Sequence, residues 1–211
     1  MKSIKGSANI KCPHGCEEFE SEFWSLIDAA SAPELKDAAL GGELNLMSCP
    51  TCKHYFYHEN NLIYFDAPTG LLVFVFDEKE KKNEKEIKEK MHHDFELIKH
   101  SIAKEMKIGS EPLYVFGLEA LKNLIAEEND FVEESEVVAA ASASLGYKLA
   151  TLKPEYARNS GYPLYVPVKA GNTQEDLLKS AHGVLASGVN SARLKKFEAD
   201  LKGGKTTALF L

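Results

Sequence analysis

Apolar positions along the chain change their period several times, and each change marks an element. Residues 3–11 alternate weakly, which predicts a strand. Over 17–24, Phe19 and Phe23 fall on one side and Glu18, Glu20 and Glu22 on the other, the pattern of a half-buried strand. Ser31 and Glu34 have the spacing of a capping box, Pro33 suits a first helical turn, Leu35 and Ala39 share a face, and Gly41-Gly42 stops the helix. Residues 44–48 lead into a tight turn, and Tyr55-Phe56-Tyr57 lead out of it. Residues 62–65 and 71–76 flank Asp66-Ala67-Pro68-Thr69-Gly70, a turn composition that predicts a hairpin. The unbroken apolar run Leu71–Phe76 predicts a strand covered on both faces, by a helix or by a second subunit.

Residues 78–107 carry Ile87, Met91, Phe95, Ile98, Ile102 and Met106 at spacings of three and four, one stripe of a long helix ended by Gly109. Its first turns alternate in charge and read as a solvated connection. Leu113–Phe116 reads as a strand and 119–128 as a helix packing Leu121, Leu124 and Ile125. An acidic link follows over 130–136, then an Ala-rich helix over 137–145 that ends near Gly146. Residues 147–152 and 163–168 read as strands joined through a turn at Asn159-Ser160-Gly161, with Pro163 and Pro167 marking an edge. Thr173 and Asp176 cap a helical pattern over 174–202 that weakens at Gly183 and Gly188 and stops at Gly203-Gly204; 206–211 reads as a last strand.

The expected fold class is therefore α+β. An antiparallel sheet with an inserted short helix occupies 1–77, a charged connecting helix 78–109, and a mixed α/β region 110–211.

The candidate chemistry sits at the front. Cys12-Pro13-His14-Gly15-Cys16 is followed, thirty-two residues later, by Cys49-Pro50-Thr51-Cys52, and the chain has no other cysteine. Two tight pairs at this separation read as the halves of one tetrahedral metal site, with Cys12, Cys16, Cys49 and Cys52 as ligands and Zn²⁺ as the ion. A redox dithiol or disulfide, and another metal or a cluster, are the alternatives. Pro13 and Pro50 preset φ for entry to each turn, and Gly15 relieves the crowded point before Cys16. Both pairs lie between strand-like segments, as in a zinc ribbon. Four cysteines leave no coordination position open, which makes the site structural and not catalytic. His14 and His54 are near enough in sequence to be ligands but are not needed. Trp24, the only tryptophan, is expected to pack over this site or on the sheet.

Phe19-Glu20-Ser21-Glu22-Phe23-Trp24, Pro33-Glu34-Leu35-Lys36-Asp37 running into Gly42-Glu43-Leu44, Ser48-Cys49-Pro50-Thr51-Cys52, Tyr55-Phe56-Tyr57 and Leu62-Ile63-Tyr64-Phe65-Asp66 together resemble the CpXC family, named for its Cys-Pro-x-Cys motifs. The resemblance covers 8–77, and Val115-Phe116-Gly117-Leu118-Glu119-Ala120-Leu121 is similar to the family's second half. The first motif departs from it, with three residues between the cysteines in place of two. The resemblance implies zinc binding and no established activity.

Other motifs fail. Gly204-Lys205-Thr206 lacks the earlier glycine of a phosphate loop, since Ala199 stands there, and neither Gly-x-Ser-x-Gly nor His-Glu-x-x-His occurs. Glu89, His93, Glu96 and His100 share a helix face, but it lies opposite the apolar stripe and faces water. The net charge is −7, and residues 1–77 hold eleven acidic side chains against five lysines and no arginine. A nucleic-acid binder relies on Lys and Arg against phosphate, so nucleic acid is not the expected partner. Lys2-Ser3-Ile4-Lys5 opens no apolar signal core, and no apolar run is long enough to span a bilayer, so a soluble, cytoplasmic chain away from membranes is expected. The reading is a structural-zinc protein that presents a surface to a protein partner or to a second copy of itself. The alternatives are a zinc-ribbon nucleic-acid-associated regulator and an enzyme whose zinc domain is only supportive.

Overall fold

The strand Leu71–Phe76 is apolar and buried at every position. The computed structural model describes residues 2–106, 111–169 and 173–205, and only the backbone over 97–106. The contacts divide the chain into two units, Met1–Ala126 and Glu127–Leu211, with the boundary inside a helix.

The first unit contains a five-stranded sheet in the order β1-β2-β5-β6-β7: β1 is Ile4–Ile10, β2 Phe19–Asp28, β5 Leu62–Asp66, β6 Leu71–Phe76 and β7 Leu113–Phe116. The strands β1 and β2, and β5 and β6, pair antiparallel, but β2 with β5 and β6 with β7 are parallel. The sheet is thus mixed and not antiparallel as expected. Parallel neighbours need a long crossover, and both are present. The β2 to β5 link contains α1 (Pro33–Gly41) and the small hairpin of β3 (Leu46–Ser48) and β4 (Tyr55–Tyr57). The β6 to β7 link contains a 3₁₀ segment, Glu78–Asn83, and α2 (Glu84–Met106).

This topology explains β6. Leu71, Val73 and Val75 face a core completed by Leu35 and Ala39 of α1 and by Leu121 and Ile125 of α3 (Leu118–Ser144). Leu72, Phe74 and Phe76 face the other way, onto Phe95, Ile87 and Met91 of α2 and onto Phe116. Both covers are helices of this chain. Trp24 is half-buried at the margin of the first core, with the Lys5 ammonium 5.1 Å from its ring centre. At α1, the expected capping box does not form. Ala32 is the N-cap and makes no side-chain bond, while Ser31 is drawn back to Asp28, its hydroxyl donating to Asp28 O at 3.1 Å.

The second unit packs the later turns of α3 with a two-stranded sheet, β8 (Lys148–Thr151) and β9 (Tyr165–Val168), and with α4 (Pro154–Ser160), α5 (Gln174–Ala186) and α6 (Ala192–Lys202). Three expectations change here. The segments 119–128, 130–136 and 137–145 are one helix, α3. Its inward stripe continues through Glu128, Phe131, Ser135, Val138 and Ser142, and the three polar members are satisfied: Glu128 by Arg158, Ser135 by Phe131 O, Ser142 by Val138 O. The turn between the strands also holds a helix, α4, started by Pro154 and ended at Gly161 with φ 67°. Finally, Gly188, with φ 98°, divides the pattern over 174–202, whereas Gly183 stays inside α5 because the Tyr147 ring occupies the space of its missing Cβ. Pro167 lies in β9, an edge strand of a two-stranded sheet, as expected. Thr173 caps α5, accepting from Asp176 N at 3.1 Å. Gly109 and residues 206–211 lie outside the described residues.

Candidate metal centre

Each cysteine pair occupies the bend of an antiparallel hairpin. The first lies between β1 and β2. Gly15 N donates to Cys12 O at 2.9 Å, closing the turn, and His14 N reaches Cys12 Sγ at 3.4 Å. Gly15 has φ 77°, the left-handed region that glycine adopts without strain. The second pair lies between β3 and β4. Lys53 N donates to Cys49 O and Cys49 N to His54 O, both at 2.9 Å. Lys53 holds φ 60°, an uncommon state for a residue with a side chain, kept by these two bonds.

The two hairpins meet at their sulfurs. The Sγ atoms of Cys12, Cys16, Cys49 and Cys52 all lie within 4.8 Å of one another. The contact between Cys12 and Cys52, from different hairpins, is 3.7 Å, and all four cysteines are free. Cys12 and Cys49 are buried, Cys16 is half-buried and Cys52 is exposed. The structure thus brings together the four residues that the spacing singles out.

Their protonation is uneven. Backbone amides of Cys52 and then Thr51 donate to the Cys49 sulfur and outweigh burial, lowering its pKa to about 6. The Cys16 thiol is pushed up to about 12, first by its hydrogen bond to Cys52, then by burial and by the other two sulfurs. At Cys52 the His54 amide favours the thiolate, but burial and hydrogen bonds with Cys49 and Cys12 raise the pKa overall. Sulfurs this close do not all ionise together on their own, because like charges disfavour one another. A cation among them removes that conflict, so the cluster can hold a metal ion and leaves it no open position.

A ring wall stands beside the sulfurs. His14 and His54 are stacked with centroids 4.0 Å apart, and Phe56 follows His54 at 6.4 Å and meets Phe19 edge-on at 6.3 Å. Neither histidine belongs to the close four-sulfur set, although His14 Nδ1 is 3.8 Å from Cys52 Sγ.

On α2, Glu89, His93 and Glu96 are exposed, as expected, and the His100 side chain lies outside the described residues. A different set comes together there, His92, Glu96 and Glu111, all exposed, with His92 Nδ1 3.8 Å from Glu111 Oε2. Glu111 belongs to another segment, which helix spacing does not reveal. The first unit also has a concavity of about 370 Å³ that includes Glu59, Glu78, Lys81 and Phe116. Burial and the neighbouring Asp77 raise the Glu59 carboxyl pKa. No Ser, Thr, Cys or His is among its described lining residues; its polar side chains are carboxylates, lysines, Asn123 and Tyr57.

These observations define an α+β protein with a four-cysteine cluster, able to hold a metal ion, strung between two hairpins. A family model described as CpXC protein matches residues 10–138, which take in both cysteine pairs, strands β2 to β7 and much of α3; the chain belongs to the CpXC family. No curated protein and no solved structure matches it. Among the described residues, no helix is long and apolar enough to cross a membrane.

Proposed function

We propose that the four cysteines bind one structural Zn²⁺, in the manner of a zinc ribbon, and that the protein is a binding or scaffold module and not an enzyme. One observation carries the metal reading. A tetrahedral ion with thiolate bonds of about 2.3 Å sets its sulfurs about 3.8 Å apart, and the Cys12–Cys52 separation is 3.7 Å. Four thiolates in two tight turns favour zinc over harder cations. The full ligand set assigns the ion to folding: it ties the β1–β2 bend to the β3–β4 bend. The cytoplasm, which keeps thiols reduced, is the compartment this reading calls for.

Exposed Leu46, Tyr55 and Tyr57 on the β3–β4 hairpin support a role in presenting a surface to a protein partner or a second copy of the chain. The acidic balance of residues 1–77 speaks against nucleic acid. Elemental analysis of the purified full chain tests the metal reading. One zinc per chain, lost in Cys49→Ser, is the expected result, and equal metal content in the two overturns it. Cross-linking in the native host tests the surface. A partner or self-adduct that disappears in Tyr55→Ser/Tyr57→Ser supports it, and an unchanged adduct pattern refutes it.

A further inference from the structure

The first cysteine turn is one residue longer than the second, and that extra length has a structural consequence. It places His14 where it meets both hairpins at once. Its backbone N–H donates to Cys12 Sγ at 3.4 Å, within its own turn. Its ring Nδ1 lies 3.8 Å from Cys52 Sγ, across the site. Cys12 and Cys52 are themselves an inter-hairpin pair, at 3.7 Å. One residue therefore contacts a sulfur of each hairpin.

The His14 ring is solvent-exposed, and its neighbours are on the second hairpin. It stacks on His54 at 4.0 Å with planes 26° apart. His54 is fixed in turn to the second hairpin, its carbonyl accepting from Cys49 N at 2.9 Å. Cys52 is the exposed member of the four, the one with water as its alternative neighbour.

We propose that His14 is a positioning residue of the metal centre: it donates Nδ1–H to the Cys52 thiolate, orients that sulfur toward the ion and shields it from water, with His54 as the backstop for its ring. This rests on the zinc reading above. The chemistry fixes the tautomer. A metal-bound thiolate has no proton to give, so the hydrogen between the two atoms sits on Nδ1. Partners of this kind orient ligands and commonly change metal affinity by about 10- to 100-fold when removed.

Three variants of the full chain separate the donor from the packing. His14→Ala removes ring and donor. His14→Phe keeps a ring against His54 without the donor. His14→Asn offers an amide N–H near the position of Nδ1. Zinc affinity is read by competition with a chromophoric chelator, and the tautomer by ¹⁵N NMR of the zinc-loaded wild type. The expected result is zinc binding weakened roughly 10- to 100-fold in the Ala and Phe variants, recovered in large part in the Asn variant, with His14 as the Nδ1–H tautomer. A Phe variant that binds zinc as tightly as wild type, or an Nε2–H tautomer, overturns the proposal while leaving the zinc reading intact. A wild-type chain that takes up no zinc defeats both.

Discussion

The Asn45 side chain takes the place of a strand against the backbone of Trp24. Its Oδ1 accepts from Trp24 N at 2.8 Å, and its Nδ2 donates to Trp24 O at 3.1 Å. The parallel pairing of β2 with β5 begins only at Leu26, so without Asn45 the Trp24 peptide loses this partner. Asn45 also accepts at its own carbonyl from His58 N, at 3.0 Å, closing the β3–β4 hairpin. The residue joins the hairpin that carries Cys49 and Cys52 to the strand that follows Cys12 and Cys16. It does so at φ 55°, where Asn is better tolerated than most residues.

Replacing Asn45 should therefore act on stability and on the metal site together. Asn45→Ala strips the acceptor from the part-buried Trp24 N, at a cost of about 1–3 kcal/mol, while Trp24 O keeps the Asn60 amide at 3.2 Å. The denaturation midpoint of the full chain should fall, and chelator competition should report weaker metal binding. A variant with wild-type stability would show that the hairpin is held by other contacts.

Gly183 tests the packing of the second unit. A Cβ there would collide with the Tyr147 ring and hydroxyl, so Gly183→Ala should destabilise by about 1–3 kcal/mol although alanine is the better helix former. Adding Tyr147→Ala should remove the collision, and the double variant should then lose less than the two single effects combined. Additive losses in thermal or chemical denaturation would place the strain elsewhere.

Glu128 and Arg158 form a two-point ion pair, with Arg158 Nε and Nη2 donating at 2.7 and 2.9 Å to a carboxylate whose side chain is only 4% exposed. Arg158→Met strips the partner from a buried charge and should cost about 3–5 kcal/mol. Arg158→Met/Glu128→Leu removes both charges and should recover most of that loss. Equal instability in the single and double variants would argue against this account.

Metal uptake should release protons at pH 7. Cys16, raised to about 12, and Cys52, also raised, are protonated before binding, whereas Cys49 at about 6 is already mostly a thiolate. Protons then compete with the ion, so affinity must fall as pH falls. An indicator in weakly buffered solution, titrated with zinc, should register release from Cys16 and Cys52. Binding without proton release would mean that these thiols are ionised beforehand.

Some of this was legible in the chain and some was not, for identifiable reasons. The four cysteines were legible because their ligand chemistry and spacing are local, and a hairpin bend is enough to bring each pair together. The double cover of β6 was legible from six consecutive apolar residues. The mixed sheet was not, since nothing in β2 or β6 announces that the next strand arrives by crossover. The continuity of α3 was masked by Glu128, Ser135 and Ser142, which look solvent-facing until Arg158 and the helix carbonyls are seen to satisfy them. Ser31 has the spacing of a cap but bonds backwards to Asp28. The His14 contact with Cys52 joins residues thirty-eight positions apart, beyond any local pattern.

X-ray absorption at the zinc edge of the full-length protein tests the central claim most directly. Four sulfur neighbours at about 2.3 Å, and no nitrogen or oxygen in that shell, are what a closed four-cysteine centre requires. A shell with fewer sulfurs, with a histidine nitrogen or water in it, or a protein that holds no zinc, would contradict the account.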